Sequence, residues 1–360
     1  SDHLKREVAN ISPGVVWTPS DRFESKFYYT YDHQFQPSLD FGTVNRLTVL
    51  ANQIDWQNTI KALDNWTITA GMGFQDVGIK RTSGGFTGID QSQTGVGAYI
   101  QSQFEPVERL HLVNSVRYDS YSDYGSAGTW RQGVSYRIPT LETLVHGSVS
   151  KSFAPPSAQD LYFPFGANPN LKPETSRGWE AGLEQPLWQE KIKLSATYFH
   201  NEIDNFIELD PTFTPQNIPR ATTEGVETAL KFAPCKEFET RISYTYLTAT
   251  DDVNLRRLTR RPRHQLNWDV TARPIEKLTI TAGIGWTVER QDVAFPPPTF
   301  ARTNIPIEDY LTLRAAVTYE ITSQWQVWVR GENLTDNKYV YVAGFPALRA
   351  AVYGGVKFKF

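Results

Sequence analysis

The stretch Lys277-Leu278-Thr279-Ile280-Thr281-Ala282-Gly283-Ile284-Gly285-Trp286-Thr287 decides the class of fold. In an extended chain Leu278, Ile280, Ala282, Ile284 and Trp286 fall on one side, and Lys277, Thr279, Thr281, Gly283, Gly285 and Thr287 on the other. A period of two means a strand with one apolar and one polar face. The same split sets Leu311, Leu313, Ala315, Val317, Tyr319 and Ile321 against Thr312, Arg314, Ala316, Thr318 and Glu320. It recurs from Phe23 to Asp32 and from Ile192 to Phe199. No stretch offers a long amphipathic helix. The chain is expected to be all-β.

The connections between such strands are of two kinds. Short, turn-like ones include Thr18 to Arg22, Lys61 to Asn65, Glu105 to Arg109, Ile138 to Thr140, Ala233 to Glu237, Arg273 to Lys277 and Ile321 to Gln324. Longer ones, richer in Gly, Pro and aromatics, include His33 to Asn45, Lys80 to Gln93, Phe153 to Pro173, Leu209 to Pro215, Asp251 to Arg260 and Val293 to Asn304. The two kinds alternate, so antiparallel strands place their short turns on one rim and their long connections on the other. The reading gives about seventeen strands, the first near Ile11 to Trp17 and the last from Leu348 to Phe360. Trp17, Phe23, Trp66, Phe104, Tyr136, Trp188, Phe232, Phe238, Tyr319 and Trp325 crowd the short-turn rim. Amphipathic rings at one level are what a barrel sets at the water–lipid interface.

Composition narrows the function. The 360 residues carry 36 Lys and Arg against 39 Asp and Glu, a formal net charge of −3. That balance offers no basic footprint for nucleic acid. One thiol, Cys235, excludes an internal disulfide or a cysteine-based metal site. A mean hydropathy of −0.43 and the lack of a long apolar run exclude transmembrane helices, though not barrel strands, in which every second residue is apolar. The sequence opens Ser1-Asp2-His3-Leu4-Lys5-Arg6 with no initiating Met, and is expected to begin inside a longer protein. At the other end Val352, Gly354, Val356, Phe358 and Phe360 share one face of the closing strand.

Three stretches resemble the TonB-dependent outer-membrane transporters. The first is Ser152-Phe153-Ala154-Pro155-Pro156-Ser157 with Asp160-Leu161-Tyr162, then Asn168-Pro169-Asn170-Leu171-Lys172-Pro173-Glu174-Thr175-Ser176. The second is Arg260-Arg261-Pro262-Arg263-His264, and the third Glu332-Asn333-Leu334-Thr335-Asp336-Asn337-Lys338-Tyr339. Gly128-Thr129-Trp130, the compact loops and Ile54-Asp55-Trp56 look most like the cobalamin receptors of that family. The resemblance implies an antiparallel transmembrane β-barrel of 22 strands closed inside by an N-terminal plug domain. Residues 1–360 then make the C-terminal part of the barrel, without the plug and the first strands. An odd strand count closes only through a parallel pair, and an open edge in hydrocarbon leaves backbone groups unpaired. The missing strands are therefore expected to be required. The resemblance further implies outer-membrane lipid as surroundings, an inner-membrane TonB complex acting through the plug, and cobalamin or a ferric siderophore as ligand. A terminal Phe on the last strand, here Phe360 with Phe358, resembles the signal read by the barrel assembly machinery.

Catalytic constellations are absent. The six His residues, His3, His33, His111, His146, His200 and His264, are scattered. No Gly-x-Ser-x-Gly elbow or phosphate-binding glycine loop occurs, and no cofactor is expected. The candidate binding surface is the long-connection rim. Tyr162, Phe163 and Phe165 in one segment, and Phe295 and Phe300 in another, are solvent-facing aromatics able to grip a large ligand with apolar faces, or to pack on each other. Arg256 and Arg257, with Arg260, Arg261 and Arg263, form a basic cluster that attracts anionic siderophores or lipopolysaccharide phosphates, or faces inward to hold an acidic plug. A passive porin is the alternative reading.

Overall fold

The computed structural model describes residues 6–40, 42–162, 166–210, 212, 214–298 and 303–359. They form twenty-three strands and one short helix. The chain divides into two compact units, described in turn: one of Ser1–Tyr136, Ser148–Gly178 and Glu202–Arg220, the other of Arg137–Gly147, Trp179–Asn201 and Ala221–Phe360.

In the first unit β1 (Glu7–Ile11) and β2 (Gly14–Ser20) both lie antiparallel on β3 (Phe23–Asp40). They act as one strand, begun earlier than the alternation suggested and interrupted at Ser12-Pro13, where proline supplies no N–H to the ladder. From β3 each strand pairs antiparallel with the next: β4 (Thr43–Leu63), β5 (Trp66–Ser83), β6 (Phe86–Phe104), β7 (Leu110–Tyr121) and β8 (Gly125–Arg137). Helix α1 (Ala158–Tyr162) also belongs to this unit, whereas β9 (Leu144–Ala154), β10 (Glu174–Leu187), β11 (Ile192–Leu209) and β12 (Pro215–Cys235) each have residues in both units.

In the second unit β12 pairs with β13 (Phe238–Asp251), whose end carries the two-residue β14 (Arg256–Arg257). The ladder continues through β15 (His264–Ile275), β16 (Leu278–Val288), β19 (Tyr310–Glu320), β20 (Trp325–Glu332) and β23 (Ala351–Phe358). Two hairpins belong to long connections: β17 (Arg290–Ala294) with β18 (Thr303–Ile307), and β21 (Val340–Val342) with β22 (Phe345–Pro346). With β1 and β2 counted as one, and β14 and these hairpins set aside, the described residues hold seventeen long strands, as the alternation predicted.

Register turns sequence period into faces. In the first unit Phe27, Trp56, Met72, Ala98 and Tyr118 form one apolar rung across β3 to β7. One residue further along, the same strands present Asp55, Gly73, Gly97 and Asp119 on the opposite face. In the second, Ile242, Trp268, Ile284 and Leu313 form an apolar rung. The apolar face is the exposed one, with Met72 at 53 %, Val116 at 55 % and Val317 at 45 % accessible. Among the buried apolar side chains of the described residues, Leu161, Leu171 and Leu258 belong to the long connections themselves. A water-soluble sheet protein buries its apolar rungs; this one offers them outward over strands of up to 21 residues, against ~5–6 in globular proteins.

Aromatic pairs flank the short turns in each unit, as expected. Trp17 meets Phe23 at 5.7 Å, Trp66 meets Phe104 at 5.8 Å, Trp188 meets Phe232 at 6.2 Å and Trp325 meets Phe358 at 4.7 Å between centroids. The other rim differs from expectation. His33 to Asn45 and Lys80 to Gln93, read as long loops, are strand almost throughout, with β3 pairing β4 up to Asp40↔Thr43 and β5 pairing β6 up to Ser83↔Phe86. Polar side chains on both faces hide the alternation there. Gly42 and the pair Gly84-Gly85, all at positive φ, close the two hairpins. The last strand is also shorter than read, starting at Ala351.

Candidate functional site

The segment after β9 begins with an extended Pro155-Pro156, which cannot enter a helix, and Ser157 then starts one. Ser157 Oγ accepts the Asp160 N–H at 3.2 Å while Asp160 Oδ2 accepts the Ser157 N–H at 3.1 Å, a reciprocal cap on α1. The Asn168 to Glu174 stretch is then tied down side chain by side chain. Asn168 Oδ1 accepts the Asn170 N–H (3.0 Å) and its Nδ2 donates to the Pro215 carbonyl (3.0 Å). Asn217 Oδ1 accepts the Lys172 N–H at 2.8 Å, and Asn217 Nδ2 donates to the carbonyls of Lys172 (2.9 Å) and Asn205 (2.7 Å). Glu174 Oε1 accepts the Ile207 N–H at 2.7 Å. This segment is a strap, not a free loop.

Beside it, on the polar face of the same unit, an open groove of about 610 Å³ is lined by Tyr99, Ser115, Arg117, Asp119, Tyr121, Arg131, Ser150 and Phe153. Arg117 donates to Asp119 through Nε (2.7 Å to Oδ2) and Nη2 (2.6 Å to Oδ1) and lies 5.8 Å from the Tyr99 ring centre. The pair fits because Gly97 stands opposite: a Cβ there would overlap Asp119 and Arg117. Above the pair Tyr121 stacks on Phe153 (6.2 Å) and meets Tyr124 (5.5 Å). Burial, first, and then the charge of Asp123 and the hydroxyls of Tyr121 and Tyr162 push the Tyr124 phenol up to about 12. Four aromatic rings, a paired guanidinium and several hydroxyls can hold a large ligand by its faces while its polar edges find donors.

In the second unit the rim is cross-linked by buried polar groups. Asp251 accepts the N–H groups of Val253 and Asn254 (both 3.1 Å), Asn254 Nδ2 (2.7 Å) and Arg256 Nε (3.0 Å). Asp292, fully buried, accepts Arg260 Nε (2.8 Å), its neighbour Val293 N–H (2.8 Å) and the distant Ala343 N–H (2.7 Å), joining three connections. Burial alone would raise its pKa; the two backbone N–H groups and Arg260 outweigh that and hold it below the usual carboxylate value. Arg290 donates to the carbonyls of Val340 (2.7 Å) and Glu308 and lies 4.5 Å from the Tyr310 ring, which stacks on Tyr339 at 4.0 Å. Asn333, also buried, receives the Asn337 N–H (3.0 Å) and donates to the carbonyls of Asn337 and Leu348.

Of the residues singled out in the sequence, Tyr162 closes α1 near Asp123 and Tyr124. Phe295 follows β17, half-buried. Phe163, Phe165, Phe300 and Phe360 lie outside the described residues. Arg256 is engaged by Asp251, and Arg257 by Glu289. Phe358 packs on Trp325. Sequence reading missed Tyr121, Tyr124, Arg117 and Asp119; the alternation of Arg117, Asp119 and Tyr121 on a polar face was visible, but their convergence with α1 was not.

Residues 6–334 match the family model described as "TonB dependent receptor-like, beta-barrel". Over 350 residues the chain is 24% identical to the "Vitamin B12 transporter BtuB" of Photobacterium profundum, covering 95% of this chain and 55% of that protein. The protein of the same name from Vibrio vulnificus is 28% identical over 296 residues, 80% of this chain and 46% of its own. The chain thus spans about half the length of the curated relatives it matches. Among solved structures, a variant of the ferric enterobactin receptor PfeA from Pseudomonas aeruginosa superposes with a TM-score of 0.81 at 15% identity, covering 100% of this chain and 62% of that one. The copper transporter OprC gives 0.79 at 14% identity, covering 99% and 65%. With its family match across nearly the whole sequence and the antiparallel barrel fold of those structures, the chain belongs to the TonB-dependent receptor β-barrel family, similar to its vitamin B12 receptors.

Proposed function

We propose that this chain is barrel wall from a TonB-dependent transporter in the outer membrane of a Gram-negative bacterium, taking up a scarce, large ligand at the long-connection rim. Family membership over residues 6–334 is the observation that carries the proposal. Cobalamin is the first ligand to test, because relatives named vitamin B12 transporters are 24–28% identical and the siderophore-receptor structures 14–16%. A ferric siderophore is the second. In the first unit the ligand-contact candidates are Tyr162, Phe163 and Phe165, joined by Tyr121, Tyr124 and Phe153; the second unit has its own candidates, Phe295, Phe300, Arg256 and Arg257. Passage is energy-coupled, through a TonB complex pulling on a plug domain. The wall contributes a fixed, hydrogen-bonded rim and no catalysis. The assembly machinery reads the last strand through Phe358 and Phe360.

The test is uptake of labelled cyanocobalamin by a Gram-negative strain lacking its own cobalamin receptor and expressing the protein, with and without TonB. Uptake that needs both supports the reading. Ferric-siderophore uptake without cobalamin uptake moves the ligand to the second choice. Diffusion of small solutes that ignores TonB makes the protein a passive porin.

A further inference from the structure

Beside the groove of the first unit, on the polar face of β4 to β7, lies a smaller cavity of about 110 Å³. It shares Arg117, Asp119 and Tyr121 with the groove, and Gln53, Asp55 and Gln75 line its other side. Register makes the space. Asp55 stands opposite Gly73, Gly73 opposite Gly97, and Gly97 opposite Asp119. Two carboxylates thus face each other along one rung, across two residues without side chains. A Cβ at Gly73 would come within 3.0 Å of Asp55 Oδ1, and one at Gly97 would overlap Asp119. One rung nearer the long connections Gln53 stands opposite Gln75.

The partners of these groups decide what the cavity can take. Arg117 is spent on Asp119, to which it donates through Nε and Nη2. Lys26, on neighbouring β3, holds Glu24 at 2.7 Å, so neither cation answers Asp55. Asp32, on the same face of β3, adds negative charge and accepts only from the amides of Asn10 and Gln34. Among the described residues the side chains of Asp55, Gln53 and Gln75 make no hydrogen bond or ion pair, although both glutamines are half-buried. Half-buried amides without partners call for an occupant. Two opposed amides both donate and accept, while an unpaired carboxylate only accepts. Such a set pairs with carboxamides, and sets an arriving carboxylate or phosphate against a fixed negative charge.

We propose that this cavity is a subsite for the carboxamide edge of an uncharged ligand, and that Asp55 rejects ligands carrying an anion at that edge. The subsite rests on the transport reading and narrows it: cyanocobalamin, whose ring is fringed with carboxamides, fits, and a multiply anionic ferric chelate does not. Tyr121, stacked on Phe153 where groove and cavity meet, takes the ligand's apolar face. Ile54-Asp55-Trp56 divides accordingly: Ile54 and Trp56 lie exposed on the apolar face, and Asp55 lines the cavity.

The intact protein, purified from outer membranes in mild detergent, is titrated with cyanocobalamin and with its monoacids, in each of which one ring carboxamide has been hydrolysed to a carboxylate. At least one monoacid is expected to bind about tenfold more weakly than the parent, or worse. In Asp55→Asn, which keeps the shape and removes the charge, that monoacid is expected to come within about threefold of the parent, a gain of binding that misfolding does not give. Gln53→Leu with Gln75→Leu is expected to weaken the parent about tenfold while the heat-resistant fold is retained. Equal binding of the parent and every monoacid, a gap that survives in Asp55→Asn, or undiminished binding in the double glutamine variant overturns the subsite and leaves cobalamin as the ligand. Failure of the wild-type protein to bind cyanocobalamin overturns cobalamin as the ligand, and the subsite with it.

Discussion

Replacing Asp292 by Ala tests whether the second unit's rim is held by a buried carboxylate. The substitution removes three accepted hydrogen bonds, from Arg260, Val293 and Ala343. Arg260 is half exposed in its side chain and turns to water, so its share is ~0–1 kcal/mol. The two backbone N–H groups sit in half-buried residues and lose their partner, costing about 1–2 kcal/mol each. The rim is then easier to open by about 2–4 kcal/mol, and at 1.36 kcal/mol per decade amide exchange there speeds up on the order of a hundredfold. Hydrogen exchange read by mass spectrometry on peptides spanning Val293 and Ala343 measures it, with peptides from β15 and β16 as internal reference. Asp292→Asn, which keeps an amide oxygen and loses the charge, should fall in between. Unchanged protection at Ala343 in the Ala variant refutes the account, because Asp292 is the partner that the account gives that amide.

The paired Arg314 and Asp269 need Gly283, whose Cβ would collide with both; Gly283→Val should lower the unfolding temperature in detergent and cost about 1–3 kcal/mol, while Gly128→Ala, which meets nothing within 4 Å, should leave it unchanged. Arg349, then the Ala350 N–H, hold the Asp336 carboxyl down to about 2, below the ordinary carboxylate range. A depressed carboxylate stabilises above its unfolded pKa and loses that stabilisation as pH falls through the folded one, so exchange at Ala350 should stay slow down to about pH 4 and speed up towards pH 2. In Arg349→Ala the change should begin at higher pH. Phe358→Ala removes a ring packed 4.7 Å from Trp325 and should reduce the fraction of heat-resistant, folded protein recovered from outer membranes; full recovery would separate this residue from assembly.

What the sequence disclosed, and what it withheld, divide along sequence distance. A period of two is local, so Leu278 to Trp286 announced its face without any knowledge of a partner, and the short turns announced the rim. The bonds that shape the other rim are between residues far apart. Asp292 meets Ala343 across 51 positions and Asn217 meets Lys172 across 45. Nothing in a short window distinguishes such an Asp or Asn from one in water. Register carried strands into segments read as loops, since a ladder continues wherever the opposing backbone is in reach, whatever the side chains. It also separated neighbours: Arg256 pairs with Asp251 and Arg257 with Thr250, so two arginines that read as one cluster leave the strand on opposite faces.

The same geometry separates what identifies the family from what selects the ligand. In Asn168-Pro169-Asn170-Leu171-Lys172-Pro173-Glu174 the Asn168 and Glu174 side chains are spent on backbone groups of this chain, and Leu171 is buried beneath the strap. A motif used in this way fixes where the strap runs and leaves mainly the exposed Asn170 and Lys172 side chains facing solvent. Selection is then left to the residues the strap presents, Tyr162 first. Two substitutions distinguish the roles. Asn217→Ala strips two hydrogen bonds from the strap, both at Lys172, and a third from the Asn205 carbonyl, and should raise amide exchange from Asn168 to Glu174, weakening the capture of every ligand by a similar factor. Tyr162→Ala leaves those bonds in place and should weaken one ligand while sparing others, with strap exchange unchanged. Should Asn217→Ala alter preference among ligands while strap protection stays intact, the motif would be a contact surface after all, and the division drawn between scaffold and selection would fall.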